Sequence, residues 1–195
     1  MIIGISGKKN SGKSTVSEIL NKKGFYLDSF ASTVKDIASL LFSYSREKLE
    51  GNTVEDRLWR ETEDSNLSKF LGKSFSPRNA LTLIGTEFGR DMIHENIWIK
   101  TVFDRYGQSQ NPNLVITDVR FPNEFDSIKS YKNILTFNIR INRPGNTISE
   151  HISETALDEK DKNGGFDYYI INDGTINDLE SKINLILDDI KNKIS

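Results

Sequence analysis

The sequence predicts an α/β fold in which a five-stranded parallel sheet is covered by helices on both faces. Three observations carry this. Short apolar runs alternate with segments of helical period along the 195 residues. The first run, Ile2-Ile3-Gly4-Ile5, leads through a glycine-containing turn into a helix-like stretch, the opening of a βαβ unit. The chain ends on its clearest amphipathic pattern, Ile176, Leu179, Ile183, Ile186, Leu187, Ile190 and Ile194, preceded by Thr175 and Asp178 at capping-box spacing.

The elements follow in order. Val16, Ile19 and Leu20 give a first helix one apolar face, Gly24 ends it, and Phe25-Tyr26-Leu27 makes a second strand. Phe30 to Phe42 reads as helical, with Val34, Ile37, Ala38 and Leu41 on one side, whereas Ser43 to Pro77 is polar, shows no clear period and reads as an insertion. Helical segments follow at roughly 78–93 and 97–106, then a loop from Gly107 to Asn113 containing the turn-forming pair Asn111-Pro112. Leu114-Val115-Ile116-Thr117 is a buried strand, and Pro122 starts a helix with Glu124 in its first turn. A further strand is expected near 134–141, a polar loop over 142–165, and a last strand at Tyr168-Tyr169-Ile170-Ile171.

Composition narrows the functional classes. Twenty-six basic and 28 acidic residues leave a net charge of −2, so no global field draws the chain to nucleic acid or an anionic membrane, and neither partner is expected. The absence of cysteine excludes disulfides, thiol catalysis and cysteine zinc sites, and leaves the redox compartment open. His94 and His151 are too few and too far apart for a histidine metal cluster. The N-terminus has no secretory pattern and no apolar run approaches about 20 residues, so a cytoplasmic protein is expected.

Chemistry concentrates at Gly7-Lys8-Lys9-Asn10-Ser11-Gly12-Lys13-Ser14, which satisfies G-x-x-x-x-G-K-[ST] between a strand and a helix. Backbone N–H groups and the positive end of the helix dipole converge there, which suits a polyphosphate. Gly7 and Gly12 let the backbone wrap closely, Lys13 brings a mobile cation to the outer phosphates, and the Ser14 hydroxyl suits Mg²⁺. A nucleoside triphosphate with Mg²⁺ is the implied ligand.

In such a sheet, ligands lie beyond the carboxyl ends of the strands. Asp118 closes the run 114–117 and suits either Mg²⁺ or a hydrogen bond from substrate. If the chain is still extended there, Arg120 points to the same side; a structural Asp118 to Arg120 pair is the alternative. Arg78 starts a helical segment, where an anionic partner or solvation would explain it. Trp98 suits base stacking or core packing equally, given Ile97, Ile99, Val102 and Phe103 around it. Arg143, beginning the polar loop, suits closure over phosphates. His151 and Glu154 are open between a functional role and a simple loop pair, and residues 172–175 between ligand contact and a helix-capping turn.

These motifs together resemble a phage-type deoxynucleoside monophosphate kinase, a member of the P-loop nucleoside monophosphate kinases. The resemblance runs through 7–15, Ser29-Phe30-Ala31 with Lys35, Arg78 with Leu83-Ile84-Gly85-Thr86-Glu87, and Trp98-Ile99-Lys100. It continues through Asp118-Val119-Arg120 with Glu124, Arg143-Pro144-Gly145, His151-Ile152-Ser153-Glu154 and Asn172-Asp173-Gly174-Thr175.

The resemblance implies a P-loop NTPase fold as a single domain over 1–195, with a helical substrate-binding insertion at about 43–113 and a lid at about 142–165. It further implies ATP bound by Gly7, Asn10, Gly12, Lys13, Ser14, Thr15, Asn172 and Gly174, with Ser14 and Asp118 toward the metal. Lys9, Lys35, Arg78, Gly85, Thr86, Trp98, Asp118, Arg120, Glu124 and His151 would surround the deoxynucleotide, which moves Trp98 toward stacking. Lys13, Arg120 and Arg143 would serve the transfer, and a homodimer is suggested. Other readings are a dephospho-coenzyme A or adenylate kinase-like enzyme on the same scaffold, or a nucleotide-dependent switch.

Overall fold

The structure, a computed structural model, describes residues 1–145 and 155–193. It divides into two compact units, Met1–Ser29 with Arg105–Ser195, and Phe30–Asp104.

The first unit is built on five parallel strands: β1 (Ile2–Gly7), β2 (Tyr26–Asp28), β3 (Leu114–Ile116), β4 (Thr136–Asn142) and β5 (Tyr168–Ile171). Their order is β2-β3-β1-β4-β5, so the strand that carries the glycine-rich turn lies at the centre. Register is fixed by pairs such as Ile3 with Val115 and Ile5 with Ile139. Residues 2–5 are apolar throughout because both faces of β1 are covered. On one face Ile3, Ile5, Val115, Ile139, Ile141 and Ile170 meet Val16, Ile19 and Leu20 of α1 (Lys13–Lys22) and Leu179 and Ile183 of the last helix. Burying each such side chain contributes about 1.5–3 kcal/mol, which is why short strands suffice. On the other face a Cβ at Gly4 would overlap Asn138 Oδ1 and lie 2.6 Å from Ile128 Cδ1, so glycine is required there by contact alone.

The strands begin and end within two residues of the sequence expectation, and the last helix (Ile176–Asn192) has the expected Thr175–Asp178 capping box. The expected polar loop at 142–165 holds a further short helix, Asp158–Lys162.

The second unit is helical: α2 (Ser32–Phe42), α3 (Arg46–Glu50), α4 (Val54–Glu61), α5 (Ser65–Leu71), α6 (Pro77–Thr82) and the larger part of α7 (Ile97–Gln108). Thus 43–77, which has no apolar period, contains three short helices held by their ends. Ser45 and Asp64 cap α3 and α5, Thr53 with Asp56 forms a capping box on α4, and Gly51 and Gly72 end α3 and α5 in the left-handed conformation. From Leu83 to Ile93 the chain winds as a π-helix, with His94 N–H donating to Gly89 O five residues back. Long π-helices are rare, and this one contains Gly85-Thr86-Glu87. In chain order, α8 (Pro122–Lys129) follows β3, α9 is Asp158–Lys162, and α10 is Ile176–Asn192.

Candidate active site

β1 brings Gly7 to the carboxyl edge of the sheet and α1 begins at Lys13, so the intervening residues must reverse the chain tightly. Asn10 (φ 62°) and Gly12 (φ 103°) take positive φ to do so. A Cβ at Gly7 would stand 2.6 Å from Ile141 O, and one at Gly12 would overlap Asn172 Nδ2. That amide donates to Ser11 O at 2.9 Å, so the residue just after β5 closes against the turn, where Asn172 was expected to serve ATP. At Gly174, expected beside it, a Cβ would stand 2.6 Å from Asp178 Oδ2, the carboxylate that caps α10 with Thr175.

The start of α1 has no side-chain cap and no acidic residue in its first turn, and Ser14 and Thr15 belong to that turn. No side chain of the N-cap position and no acidic group of the first turn therefore stands against the positive end of the helix dipole. Lys13 Nζ donates to Gly7 O at 2.6 Å and Lys8 O at 2.8 Å, folded across the turn on a flexible stem. Lys8 meets Asp158 at 3.4 Å.

Beyond β3, Thr117 N–H donates to Asp28 O and Val119 N–H to Ile5 O, which lays residues 117–119 over the ends of β2 and β1. Asp118 therefore stands at the same sheet edge as the turn. Thr117 and Asp118 form a turn, so the extended alternation that would put Asp118 and Arg120 on one side does not hold. Glu124 is 2% exposed, and its carboxylate accepts the N–H groups of Arg120 (2.7 Å) and Phe121 (3.0 Å) at the start of α8. It is a capping carboxylate that shapes the Arg120 backbone. Arg143 is exposed just after β4, while His151 lies outside the described residues.

Within the second unit, Lys35 Nζ meets Glu50 at 2.5 Å and Arg46 binds the other oxygen of the same carboxylate. These two cations outweigh burial and hold the Glu50 carboxyl below its ordinary value. Arg78, in the first turn of α6, pairs with Glu61 at 2.8 Å with both groups largely exposed. Burial, with Arg78 close by, lowers the Arg60 guanidinium below its ordinary value. Trp98 is 4% exposed; its N–H donates to Gly85 O at 2.7 Å and its ring fills the space where a Cβ at Gly89 would be. The ring packs against the π-helix and its N–H ties down Gly85, so Trp98 takes the core-packing position that the sequence left open beside stacking. Thr86 follows on the same turn.

A family profile described as Deoxynucleotide monophosphate kinase matches residues 52–183. A putative deoxynucleotide monophosphate kinase of Acanthamoeba polyphaga mimivirus is 33% identical over 94% of each chain. The chain belongs to the deoxynucleotide monophosphate kinase family. The deoxynucleoside-5′-monophosphate kinase of Escherichia phage T5 is 36% identical over 50% of this chain and 40% of its own. Among solved structures, dephospho-CoA kinase from Campylobacter jejuni covers 100% of this chain and 98% of its own with a TM-score of 0.50 at 17% identity, a likeness of fold alone. The family's P-loop NTPase fold is the one the glycine-rich turn already indicated.

Two participants were not singled out from sequence. Glu50, which sets the surroundings of Lys35, is fifteen residues away from it and carries no local signal. Arg140 did carry one: an arginine between Ile139 and Ile141 in a strand whose sheet is covered on both faces must be buried with partners. Among the described residues no group of three or more histidine, cysteine or acidic side chains suits a metal ion, and no helix is long and apolar enough to cross a membrane.

Proposed function

We propose that this phosphotransferase moves the γ-phosphoryl of ATP to the 5′-phosphate of a deoxynucleoside monophosphate, yielding the diphosphate and ADP. The observation that carries the donor half is the uncapped start of α1 behind Gly12, with Lys13 folded over it. Family membership carries the acceptor.

On this reading Gly7, Asn10, Gly12, Lys13, Ser14 and Thr15 hold the triphosphate, and Asn172 braces them. Lys9, Lys35, Arg78, Gly85, Thr86 and Arg120 bind the monophosphate, with Trp98 and Glu124 acting through the backbone they fix and His151 as a further contact. Acceptor anions displace Glu50 from Lys35 and Glu61 from Arg78, an exchange of partners in which the cations never go unpaired.

A hard divalent cation needs oxygen ligands, and the Ser14 hydroxyl and Asp118 carboxylate at one sheet edge are suitable. Bound there, Mg²⁺ would offset charge on the outer phosphate oxygens. The acceptor phosphate is already an anion near neutral pH, so no general base is required. Lys13, Arg120 and Arg143 stabilise charge that develops on the transferring oxygens. Arg143 also excludes water from the phosphates.

Large apolar side chains exposed in the second unit, including Leu40, Leu41, Phe70 and Met92, support a homodimer. Nucleotide substrates support a cytoplasmic location, the host's cytoplasm if the chain is viral. The test is chromatography of products after incubation with ATP, Mg²⁺ and each nucleoside monophosphate, with AMP and dephospho-coenzyme A as rival acceptors. Deoxynucleoside diphosphate with equimolar ADP is expected. ADP formed equally without an acceptor, or efficient use of dephospho-coenzyme A alone, would replace this reading.

A further inference from the structure

Arg140 lies in β4 opposite Ser6 of β1, the residue immediately before the phosphate turn. Its side chain is 3% exposed. One guanidinium nitrogen donates to Ser6 Oγ at 3.0 Å, Nε to Asp161 at 2.9 Å, and the other terminal nitrogen to Asp158 at 3.2 Å. The guanidinium plane stands 5.6 Å from the Phe166 ring. Asp158 in turn meets Lys8 inside the phosphate turn at 3.4 Å. Two arms of this buried cation thus lead to the turn, one through the strand that feeds it and one through the Asp158 carboxylate that meets Lys8, while the third holds Asp161 on the same helix as Asp158.

We propose that Arg140 is a positioning residue for the ATP site: it fixes Ser6 and, through Asp158, Lys8, and it neutralises two carboxylates beside the place where the polyphosphate charge must sit. This rests on the reading of the turn as the ATP site. The cluster contains two cations, Lys8 and Arg140, and two carboxylates, Asp158 and Asp161, so it is neutral. Without Arg140 it carries one net negative charge next to a ligand that is itself highly negative. Coulomb repulsion across roughly 10 Å at an effective dielectric near 20 weakens ATP binding about tenfold. The cluster reaches the phosphate turn through Lys8, so the effect is expected to fall first on the donor.

The test compares Arg140→Met, Asp158→Asn and the double variant in the full chain, by titration calorimetry with ATP and Mg²⁺ and by separate KM values for ATP and an accepted deoxynucleoside monophosphate. Arg140→Met is expected to raise the ATP Kd and KM about tenfold, with the acceptor KM within about twofold of wild type. Asp158→Asn alone does not raise the ATP Kd. Adding it to Arg140→Met restores neutrality and brings the ATP Kd back to within about threefold of wild type. A purely structural arginine gives another pattern, in which thermal stability falls, both KM values move together, and Asp158→Asn does not rescue; that pattern overturns the proposal. If Arg140→Met does not fold, Asp158→Asn and Arg140→Lys decide. Arg140→Lys keeps the charge but not the fork, and on the charge argument alone is expected to hold the ATP Kd within about threefold, so a larger rise in ATP Kd in either variant overturns it. Wild type that binds ATP and transfers phosphate while Arg140→Met binds equally well refutes this inference alone. Wild type that binds no ATP refutes the functional reading beneath it.

Discussion

On the proposed function, the two units hold anions by different means. In the sheet unit the candidate donor site is backbone: a turn at positive φ, an uncapped helix start, and glycines whose replacement would collide with Ile141 O or Asn172. In the helical unit the candidate acceptor cations are side chains, and each already holds a carboxylate, Lys35 with Glu50 and Arg78 with Glu61. Backbone sites are rigid and ready. Side-chain sites rest in ion pairs and exchange one anion for another. On that reading the contrast teaches that a triphosphate common to many reactions is met by geometry, whereas a variable acceptor is met by groups that trade partners.

The largest effect that would break this contrast is at Lys13, the one mobile cation of the backbone site named in the transfer step. Lys13→Met is expected to lower kcat about 10²- to 10³-fold in an ADP-release assay, by analogy with loss of a single charge-stabilising donor. Gly12→Ala sharpens it. The residue sits at φ 103° with Asn172 Nδ2 against its face, so the substitution costs about 1–3 kcal/mol of strain. The expected result is about tenfold weaker ATP binding with the acceptor KM unchanged. Equal loss for both substrates would mean that the turn serves both.

Smaller effects belong to the helical unit. Trp98→Phe removes the donor to Gly85 O and is expected to cost about 1–3 kcal/mol in urea unfolding, with a modest rise in acceptor KM and none in ATP KM. Smallest is the pH dependence of Glu50. Its carboxyl lies below the ordinary 4.5 in the folded chain, so its contribution to stability is complete above about pH 4.5 and is lost as pH falls through the folded value. Glu50→Gln is expected to flatten acid unfolding below that pH and to leave stability near neutrality changed by less than about 1 kcal/mol.

The same division governs what the sequence reveals. The phosphate turn is contiguous, and its neighbours Ile2 to Ile5 and Val16 to Leu20 carry their periods openly, so strand, turn and helix are all legible. Residues 43–77 are not legible by period, because their helices are too short to show one. Their signals are caps instead: Thr53 with Asp56, Ser76 with Asn79, and Gly51 and Gly72 after the last turn. The Lys35–Glu50 and Arg78–Glu61 pairs join residues fifteen and seventeen apart and leave no pattern at all. Trp98 shows the limit of a resemblance: it locates a residue near function but does not say whether the ring touches the ligand or holds the backbone that does. Asp118 and Arg120 fail the alternation rule for a plain reason, since β3 stops at Ile116 and the chain turns at once.

The central claim is that donor and acceptor are gripped by separable machinery, and separate binding measurements test it most directly. Titration of the Lys35→Met/Arg78→Met variant with ATP and Mg²⁺, and in parallel with an accepted deoxynucleoside monophosphate, is expected to leave ATP affinity within about twofold of wild type while acceptor affinity falls at least about tenfold, the loss of two charge-assisted contacts. Unchanged acceptor affinity, or a parallel loss of ATP affinity, would contradict the account.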